Sequence, residues 1–218
     1  MNYAQLIFSP TGGTARTAEL ITGVWDGAVE TVDLTDPALL PHAFQKGDLV
    51  LLAVPSYGGR VPALAAQRME AIQGNGADCV LLCVYGNRAY EDTLVELQDI
   101  AAGRGFRVIA AMAAVAEHSI MHQYAAGRPD SQDAEQLRQF SRAVLETFAQ
   151  GQDGGEFKIP GNRPYKKAGS AGVVPKAGSQ CVNCGLCAEQ CPAQAIDRNN
   201  LRTADSKKCI SCMRCVVR

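Results

Sequence analysis

Residues 3–14, YAQLIFSPTGGT, join an apolar run to a loop rich in glycine and hydroxyl side chains. Tyr3 to Phe8 predicts a short buried strand, and the segment from Ala15 to Trp25 repeats apolar side chains at helical spacing. A strand, a Gly/Thr loop and a helix start are typical of a phosphate cradle, because N–H groups at a helix N-terminus point at the anion. An ordinary Gly-rich turn is the alternative that these residues leave open.

The rest of the first 150 residues repeats this alternation of strands and helices. Further apolar strands are predicted at 29–34, 48–54, 78–85 and 106–116, with helices between them, one of which runs from Pro62 to Gly74. This pattern predicts an α/β fold with a doubly wound five-stranded parallel sheet, in which ligands bind beyond the carboxyl ends of the strands. The loops after the first, third and fourth strands should therefore meet at one edge, which favours a phosphate site over an ordinary turn.

Seven of the nine cysteines lie in the last 40 residues. Residues 181–192, CVNCGLCAEQCP, have the C-x2-C-x2-C-x3-C-P spacing of bacterial iron–sulfur proteins, and the pattern begins again at Cys209. Thiolates at successive x2 spacings favour a cubane cluster, whereas zinc, the alternative metal, is typically bound by paired C-x2-C knuckles. Cys79 and Cys83 lack metal spacing and lie in an apolar run, so we interpret them as buried core thiols.

The charge is divided unequally along the chain. Residues 1–150 hold ten Lys/Arg against 17 Asp/Glu, a net charge of −7, and residues 151–218 hold 11 against five, a net charge of +6. Cations near an anionic cluster favour its reduced state, and we prefer this interpretation to nucleic-acid binding because no aromatic residues interleave the basic ones. The sequence begins without a signal-peptide pattern and has no apolar run of about 18 residues, so we expect a cytoplasmic protein without a membrane span.

The composition changes after residue 150. Residues 151–180 hold seven Gly and three Pro, which predicts a linker or an extended wrap rather than core. We interpret Arg163, Lys166 and Lys167 in this stretch as solvated charges.

Several segments together resemble a known family. Residues 8–14, FSPTGGT, look like the phosphate loop of flavodoxins, and residues 55–62, PSYGGRVP, and 85–90, YGNRAY, look like the two loops that sandwich the isoalloxazine. With the tandem cysteine runs and the PGNRPY stretch at 160–165, the chain resembles the flavodoxin–ferredoxin fusions found largely in anaerobes.

The resemblance implies a flavodoxin-like FMN-binding domain at 1–150, a Gly/Pro-rich basic linker at 151–178 and a small α+β bacterial ferredoxin-like domain at 179–218, expected to lack its C-terminal end. It implies FMN contacts from Ser9, Thr11, Gly12, Gly13, Thr14, Pro55, Ser56, Tyr57, Gly58, Gly59, Tyr85, Gly86, Asn87, Arg88 and Tyr90. The three tyrosines are candidates for stacking on the flavin, with core or rim packing of one or two of them as the alternative. Gly13 stands where these loops usually carry Asn, which removes one side-chain donor.

Two [4Fe–4S] clusters are expected, because in two-cluster ferredoxins the fourth cysteine of each run ligates the other cluster. One cluster is then complete, with ligands Cys191, Cys209, Cys212 and Cys215, and the other has three thiolates, those of Cys181, Cys184 and Cys187. We expect the native chain to continue past Arg218 and supply the missing cysteine. If Arg218 is the true end, we expect a [3Fe–4S] cluster or a cubane with one labile iron.

Clusters pass single electrons and FMN holds one or two, so the sequence predicts electron transfer between an external donor, the clusters, FMN and a partner redox enzyme. A flavin-dependent reductase of a small molecule, fed by its own clusters, is the second hypothesis. Glu117, His118 and His122 follow a predicted strand at the flavin edge, and His118 is the candidate proton donor, with a structural or solvated histidine as the alternative. A flavin-free iron–sulfur subunit of a larger redox complex is the third.

Overall fold

The computed structural model describes residues 2–151, 158–169 and 172–217. The elements follow one another as β1 (Tyr3–Ile7), α1 (Gly13–Thr22), β2 (Val29–Asp33), β3 (His42–Ala43), β4 (Leu49–Pro55), α2 (Ala63–Met69), β5 (Ile72–Gln73), β6 (Asp78–Tyr85), α3 (Thr93–Gly103), β7 (Arg107–Val115), α4 (Ser131–Ala149), α5 (Leu186–Glu189), β8 (Ile196–Asp197) and β9 (Asn200–Ala204). Within these described residues, no helix is both long and apolar enough to cross a bilayer.

Five strands form the main sheet in the order β2-β1-β4-β6-β7, and every neighbouring pair is parallel. Numbered among themselves, these strands have the order 2-1-3-4-5, which is that of flavodoxin-like doubly wound sheets. The predicted fold class is therefore confirmed. The central strands β4 and β6 are buried almost throughout, because both faces of a doubly wound sheet are covered by helices.

Two hydrophobic cores cover the two faces of the sheet. Alternate residues of β4 point to opposite faces, so Leu52 belongs to the core with α2 and α3, and Leu51 to the core with α1 and α4. Cys79 and Cys83 are 0% exposed in the first core, as predicted for core thiols. Burial raises the pKa of the Cys83 thiol to about 12 and raises that of Cys79 as well, which keeps both thiols protonated and unreactive.

The helix predicted from Pro62 to Gly74 is wrong at its C-terminal end. Helix α2 ends at Met69, and the short strand β5 pairs in parallel with β3. Ile72 is fully buried opposite His42, so long-range pairing overrides the local helical pattern. Gly74 lets the chain pass close to Phe106, since a Cβ there would lie 2.6 Å from the Phe106 ring.

Residues 158–169, which we call the strap, lie against α3 rather than in solvent. Asn162 donates to Asp92 through its backbone N–H (2.8 Å) and side chain (3.0 Å), and Arg163 donates to both carboxylate oxygens of Asp99 (2.6 and 2.8 Å). Lys166 pairs with Glu91, also through its side chain. Arg163 and Lys166, which we interpreted as solvated charges, are exposed as Lys167 is, but each of the two also forms an ion pair with a carboxylate of the flavodoxin-like part.

The strap is also fixed by its own apolar residues. Ile159 is buried in the core with α2 and α3, and Tyr165 packs against the same core and donates to Asp99. Gly161 passes so close to α3 that a Cβ would lie 2.8 Å from Val95 Cβ. Residues 158–169 are therefore an extended wrap, which is one of the two structures that the composition predicted. The rest of the predicted linker lies outside the described residues, except at 151 and 172–178.

The cysteine-rich end forms a small α+β unit from α5 and the antiparallel pair β8 and β9. Two arginines join it to the flavodoxin-like part: Arg68 Nη2 donates to the carbonyl of Pro192 (2.6 Å), and Arg214 Nη1 donates to the hydroxyl of Thr35. Ile210 packs against the core with α2 and α3. These contacts place one end of the second cysteine run at the carboxyl edge of the main sheet.

Candidate functional site

A cavity of about 790 Å³ opens at the carboxyl edge of the sheet. This volume lies within the range of about 300–1,000 Å³ that is usual for ligand and cofactor sites. The loops after β1, β4, β6 and β7 all line it, as the topology of a doubly wound sheet requires. The predicted site residues that line it are Ser9, Thr11, Gly13, Thr14, Pro55, Ser56, Tyr57, Gly58, Tyr85, Gly86 and His118.

The loop after β1 forms an open cradle of backbone N–H groups. Helix α1 begins at Gly13 behind Gly12, which has a left-handed φ of 89°. The first four N–H groups of a helix have no intrahelical acceptor, and here Ser9 Oγ accepts that of Ala15 (2.9 Å). A Cβ at Gly12 or Gly13 would meet no atom within 4 Å, so the cradle is open to an anion. The positive end of the α1 dipole adds to this preference.

The loop after β4 holds Tyr57 at the cavity on a tight turn. Tyr57 and Arg60 exchange two backbone hydrogen bonds of 3.0 and 3.2 Å. Gly58 (φ 60°) and Gly59 (φ 82°) supply the two left-handed residues that such a turn needs. Burial, and then the nearby Cys212 thiol, raise the pKa of the Tyr57 phenol. Tyr57 therefore lies at the cavity and near Cys212 of the second cysteine run.

Arg60 and Glu96 fix this loop to the rest of the molecule. Arg60 donates to both oxygens of Glu96 at 2.7 Å, and Glu96 also accepts the backbone N–H of Val61 (2.9 Å). The third nitrogen of Arg60 donates to the strap at the carbonyl of Lys166 (2.6 Å), and its guanidinium lies 4.8 Å from the ring centre of Tyr165. Sequence reasoning missed Arg60 and Glu96, although a lone Glu within the apolar start of α3 was a usable signal.

The loop after β6 contributes fewer residues than predicted. Tyr85 and Gly86 line the cavity, whereas Tyr90 packs edge-on against Tyr85 at a ring distance of 5.3 Å and 67°. Arg88 forms an ion pair with Glu91 (2.9 Å). Five predicted site residues do not line the cavity: Gly12, Gly59, Asn87, Arg88 and Tyr90. Of the three tyrosine candidates, Tyr57 and Tyr85 are therefore at the cavity.

His118 packs directly on the loop after β6. A Cβ at Gly86 would lie 2.5 to 2.8 Å from three atoms of His118. The ring Nδ1 accepts the backbone N–H groups of Ile120 and Met121, both at 3.2 Å, which assigns the proton of the neutral ring to Nε2. His118 thus lines the cavity with a ring that these two hydrogen bonds hold in place.

Glu117 and His122 form a separate pair beside this site. The Nδ1 of His122 lies 2.7 Å from Glu117 Oε1, and Glu117 Oε2 accepts the backbone N–H of Gly127 (3.0 Å). The Gly127 amide, and then His122, lower the pKa of Glu117. Only Glu117 of this pair lines the cavity, so His122 serves to hold the loop.

Four of the predicted cluster ligands lie together around a second, small cavity: Cys191, Cys209, Cys212 and Cys215. Burial, followed by the neighbouring thiols of this group, raises the pKa of Cys215 to about 11. The backbone N–H of Ala195 donates to Cys191 Sγ (3.3 Å). Cys209 and Ile210 line both cavities, so the four-cysteine cavity adjoins the large one.

The two cysteine runs share one backbone conformation. Asn183 (φ 57°) and Gly185 (φ 82°) in the first run correspond by spacing to Ser211 (φ 54°) and Met213 (φ 62°) in the second, and all four have a left-handed φ. Left-handed residues set between right-handed ones turn successive N–H groups into an anion-binding nest, as at many iron–sulfur sites.

The first run is more open than the second. Cys184 is exposed and Cys181 and Cys187 are half-buried, whereas Cys212 is buried. Within the described ranges, no three His, Cys, Asp or Glu side chains are close enough to hold a single metal ion.

One family model matches part of the cysteine-rich end. Residues 179–197 match the family model of the 4Fe-4S binding domain, so the chain contains a 4Fe–4S ferredoxin region. No curated protein sequence matches the chain.

Similar solved structures include oxidised flavodoxin 1 from Bacillus cereus, at 18% identity and a TM-score of 0.47, with 67% of this chain and 98% of that chain covered. Another is rubredoxin oxygen:oxidoreductase from the anaerobe Desulfovibrio gigas, at 12% identity, a TM-score of 0.47 and coverage of 68% and 36%. A third is the apo form of the NADH:FMN oxidoreductase EmoB, at 14% identity, a TM-score of 0.46 and coverage of 68% and 89%.

Proposed function

We propose that this protein transfers electrons between iron–sulfur clusters and a bound FMN, and exchanges them with a partner redox enzyme. The observation that carries this proposal is the shared wall of the two cavities. Cys209 and Ile210 line both the four-cysteine cavity and the cavity formed by the three flavodoxin-like loops. When bound, the clusters exchange single electrons and FMN holds one or two.

The residues of the large cavity fit FMN. The open N–H cradle at the start of α1 suits the phosphate, and the hydroxyls of Ser9, Thr11 and Thr14 add donors. Tyr57 and Tyr85 are the side chains available to stack on the isoalloxazine, and their loops are held by the Arg60–Glu96 pair and by β6. The fixed Nε2–H of His118 can donate to a ring heteroatom of the flavin.

The cysteines fit two clusters of unequal exposure. Cys191, Cys209, Cys212 and Cys215 would hold the cluster next to the flavin cavity; Cys212 is buried and the other three are half-buried. Cys181, Cys184 and Cys187 would hold the other cluster at the surface. Val182 and Leu186, between these ligands, are 82% and 45% exposed, and exposed apolar side chains beside a redox centre suit a partner protein.

The test is the composition of the protein purified without oxygen. We expect enough iron and sulfide for two clusters, and one FMN per chain after gentle reconstitution. One-electron reduction should then change the absorbance of the clusters and of the FMN. Cys212→Ser should remove the signal of the inner cluster, whereas Cys79→Ser, in the core, should leave both. A protein that loads iron but binds no FMN would overturn the proposal in favour of the flavin-free subunit.

A small-molecule reductase is the second candidate function, because His118 places an N–H donor in the cavity. Turnover of the reduced protein with small oxidised acceptors, in the absence of any partner protein, would favour it. His118→Gln keeps a donor and loses the imidazole, so it should then reduce that turnover while leaving FMN binding near the wild-type value.

A further inference from the structure

Arg214 lies inside the second cysteine run, between Cys212 and Cys215. Its Nη1 donates to the hydroxyl of Thr35, which in turn donates to Asp33 Oδ1 (2.6 Å) at the end of β2. The guanidinium is therefore held from the flavodoxin-like side while its residue lines the four-cysteine cavity.

The Nε of Arg214 is buried and has no hydrogen-bond partner. Among the described residues, the only other buried side-chain polar atom without one is Gln190 Oε1. Buried donors are almost always paired, and an unpaired one on a charged group is costly. A donor of this kind, on a residue that lines a cavity walled by four thiols, points to an acceptor that occupies the cavity.

We propose that Arg214 tunes the reduction potential of the cluster held by Cys191, Cys209, Cys212 and Cys215, by donating its Nε–H to a sulfur of that cluster and by placing a positive charge beside it. The inference rests on the proposed clusters. Reduction adds negative charge, so a cation and a hydrogen bond to sulfur both stabilise the reduced state and raise the potential.

The first cysteine run provides an internal comparison. Leu186 occupies the position that corresponds to Arg214, two residues after Cys184 as Arg214 is two after Cys212. A leucine can supply neither the charge nor the hydrogen bond. Arg214 should therefore raise the potential of the inner cluster by a contribution that the outer cluster lacks.

Arg68 distinguishes the proposed role of Arg214 from a purely structural one. Arg68 also joins the two parts of the chain, through the carbonyls of Leu34 and Pro192 (both 2.6 Å), but it does not line the four-cysteine cavity. If Arg214 acted only by holding the parts together, loss of Arg68 would shift the potential as much as loss of Arg214.

The test is a potentiometric titration followed by EPR on the reconstituted full-length protein. Arg214→Gln should favour the oxidised inner cluster about tenfold, which is about 59 mV for one electron. Arg214→Lys keeps the charge and should shift it less, and Arg68→Gln should lower the stability and leave the potential unchanged. An unchanged potential in Arg214→Gln, or an equal shift in Arg68→Gln, overturns the proposal.

A second measurement needs no Arg214 variant. With arginine labelled with nitrogen-15 only in its guanidinium group, pulsed EPR of the reduced inner cluster in the wild-type protein should detect a guanidinium nitrogen, and Arg68→Gln should retain that signal. An assembled cluster without this coupling overturns the inference alone. A wild-type protein that assembles no cluster overturns the proposed function and the inference with it.

Discussion

Replacing Gly86 by alanine tests whether the loop after β6 and His118 form one wall of the cavity. The new Cβ would lie 2.5 Å from His118 Cδ2 and 2.8 Å from its Cβ and Cγ. If the ring stays, overpacking costs about 1–3 kcal/mol. If the ring moves, it loses two hydrogen bonds from backbone N–H groups, worth about 0.5–1.5 kcal/mol each. Either way we expect the free energy of unfolding to fall by about 1–3 kcal/mol.

The same change should weaken FMN binding. A displaced His118 ring occupies space in the cavity that it lines, so FMN must push it back against the new methyl group. If the whole cost appears on binding, the FMN dissociation constant rises about 5- to 150-fold, at tenfold per about 1.4 kcal/mol. Flavin fluorescence titration measures this constant, and urea denaturation measures the stability.

Gly13→Ala is the matched control, at another glycine that lines the cavity. Its Cβ would meet no atom within 4 Å, and the backbone N–H groups of the cradle remain. We expect a stability within about 0.5 kcal/mol of the wild type, and because Gly13 belongs to the proposed phosphate cradle, this control concerns stability alone. The proposed wall is refuted if Gly86→Ala is as stable and binds FMN as tightly as the wild type, or if Gly13→Ala loses as much stability.

Three further predictions concern the core and the strap. Cys79→Ala and Cys83→Ala should lower the free energy of unfolding by about 1 kcal/mol and leave the iron content unchanged; loss of iron would contradict the core assignment. Gly161→Ala should speed proteolysis within the strap, because its Cβ would meet Val95 and its φ is 141°, whereas Gly103→Ala, with open space around it, should not. Acidification should release the strap, because the strap binds the carboxylates of Glu91, Asp92 and Asp99 and lowers their pKa values. The contacts stabilise the strap fully above the unfolded pKa values of these carboxylates, about 4, and this stabilisation disappears as the pH falls through the lower folded values. An acid-active protease should therefore cleave the strap faster as the pH falls below about 4. Unchanged cleavage in that range would contradict the prediction.

Local sequence determined most of the sheet. The strands at 49–55 and 78–85 are continuous apolar runs that only a doubly covered sheet can bury, so their existence followed from the residues alone. The C-terminal end of α2 could not be predicted from local sequence, because Ile72 fits a helical pattern and belongs to a strand only through its pairing with His42. Local periodicity carries no information about a partner 30 residues away.

The contacts of the strap could not be predicted from local sequence either, because their partners are distant along the chain. The partner of Arg163 is Asp99, 64 residues earlier, and a Gly/Pro-rich basic stretch has the composition of a solvated linker. At the site, the loops were recognisable because their glycines and tyrosines have local roles. The shared position of Cys209 in both cavities was not, because it depends on how the cysteine-rich end packs on the main sheet.

The strap and the two linking arginines also have a kinetic consequence. They keep the second cysteine run beside the large cavity within one chain, so its effective concentration there does not depend on the concentration of the protein. Electron exchange between the two sites should therefore be first order and nearly independent of ionic strength. Exchange with an external partner must still begin with a bimolecular encounter, and charge on the basic cysteine-rich end should make that step sensitive to salt.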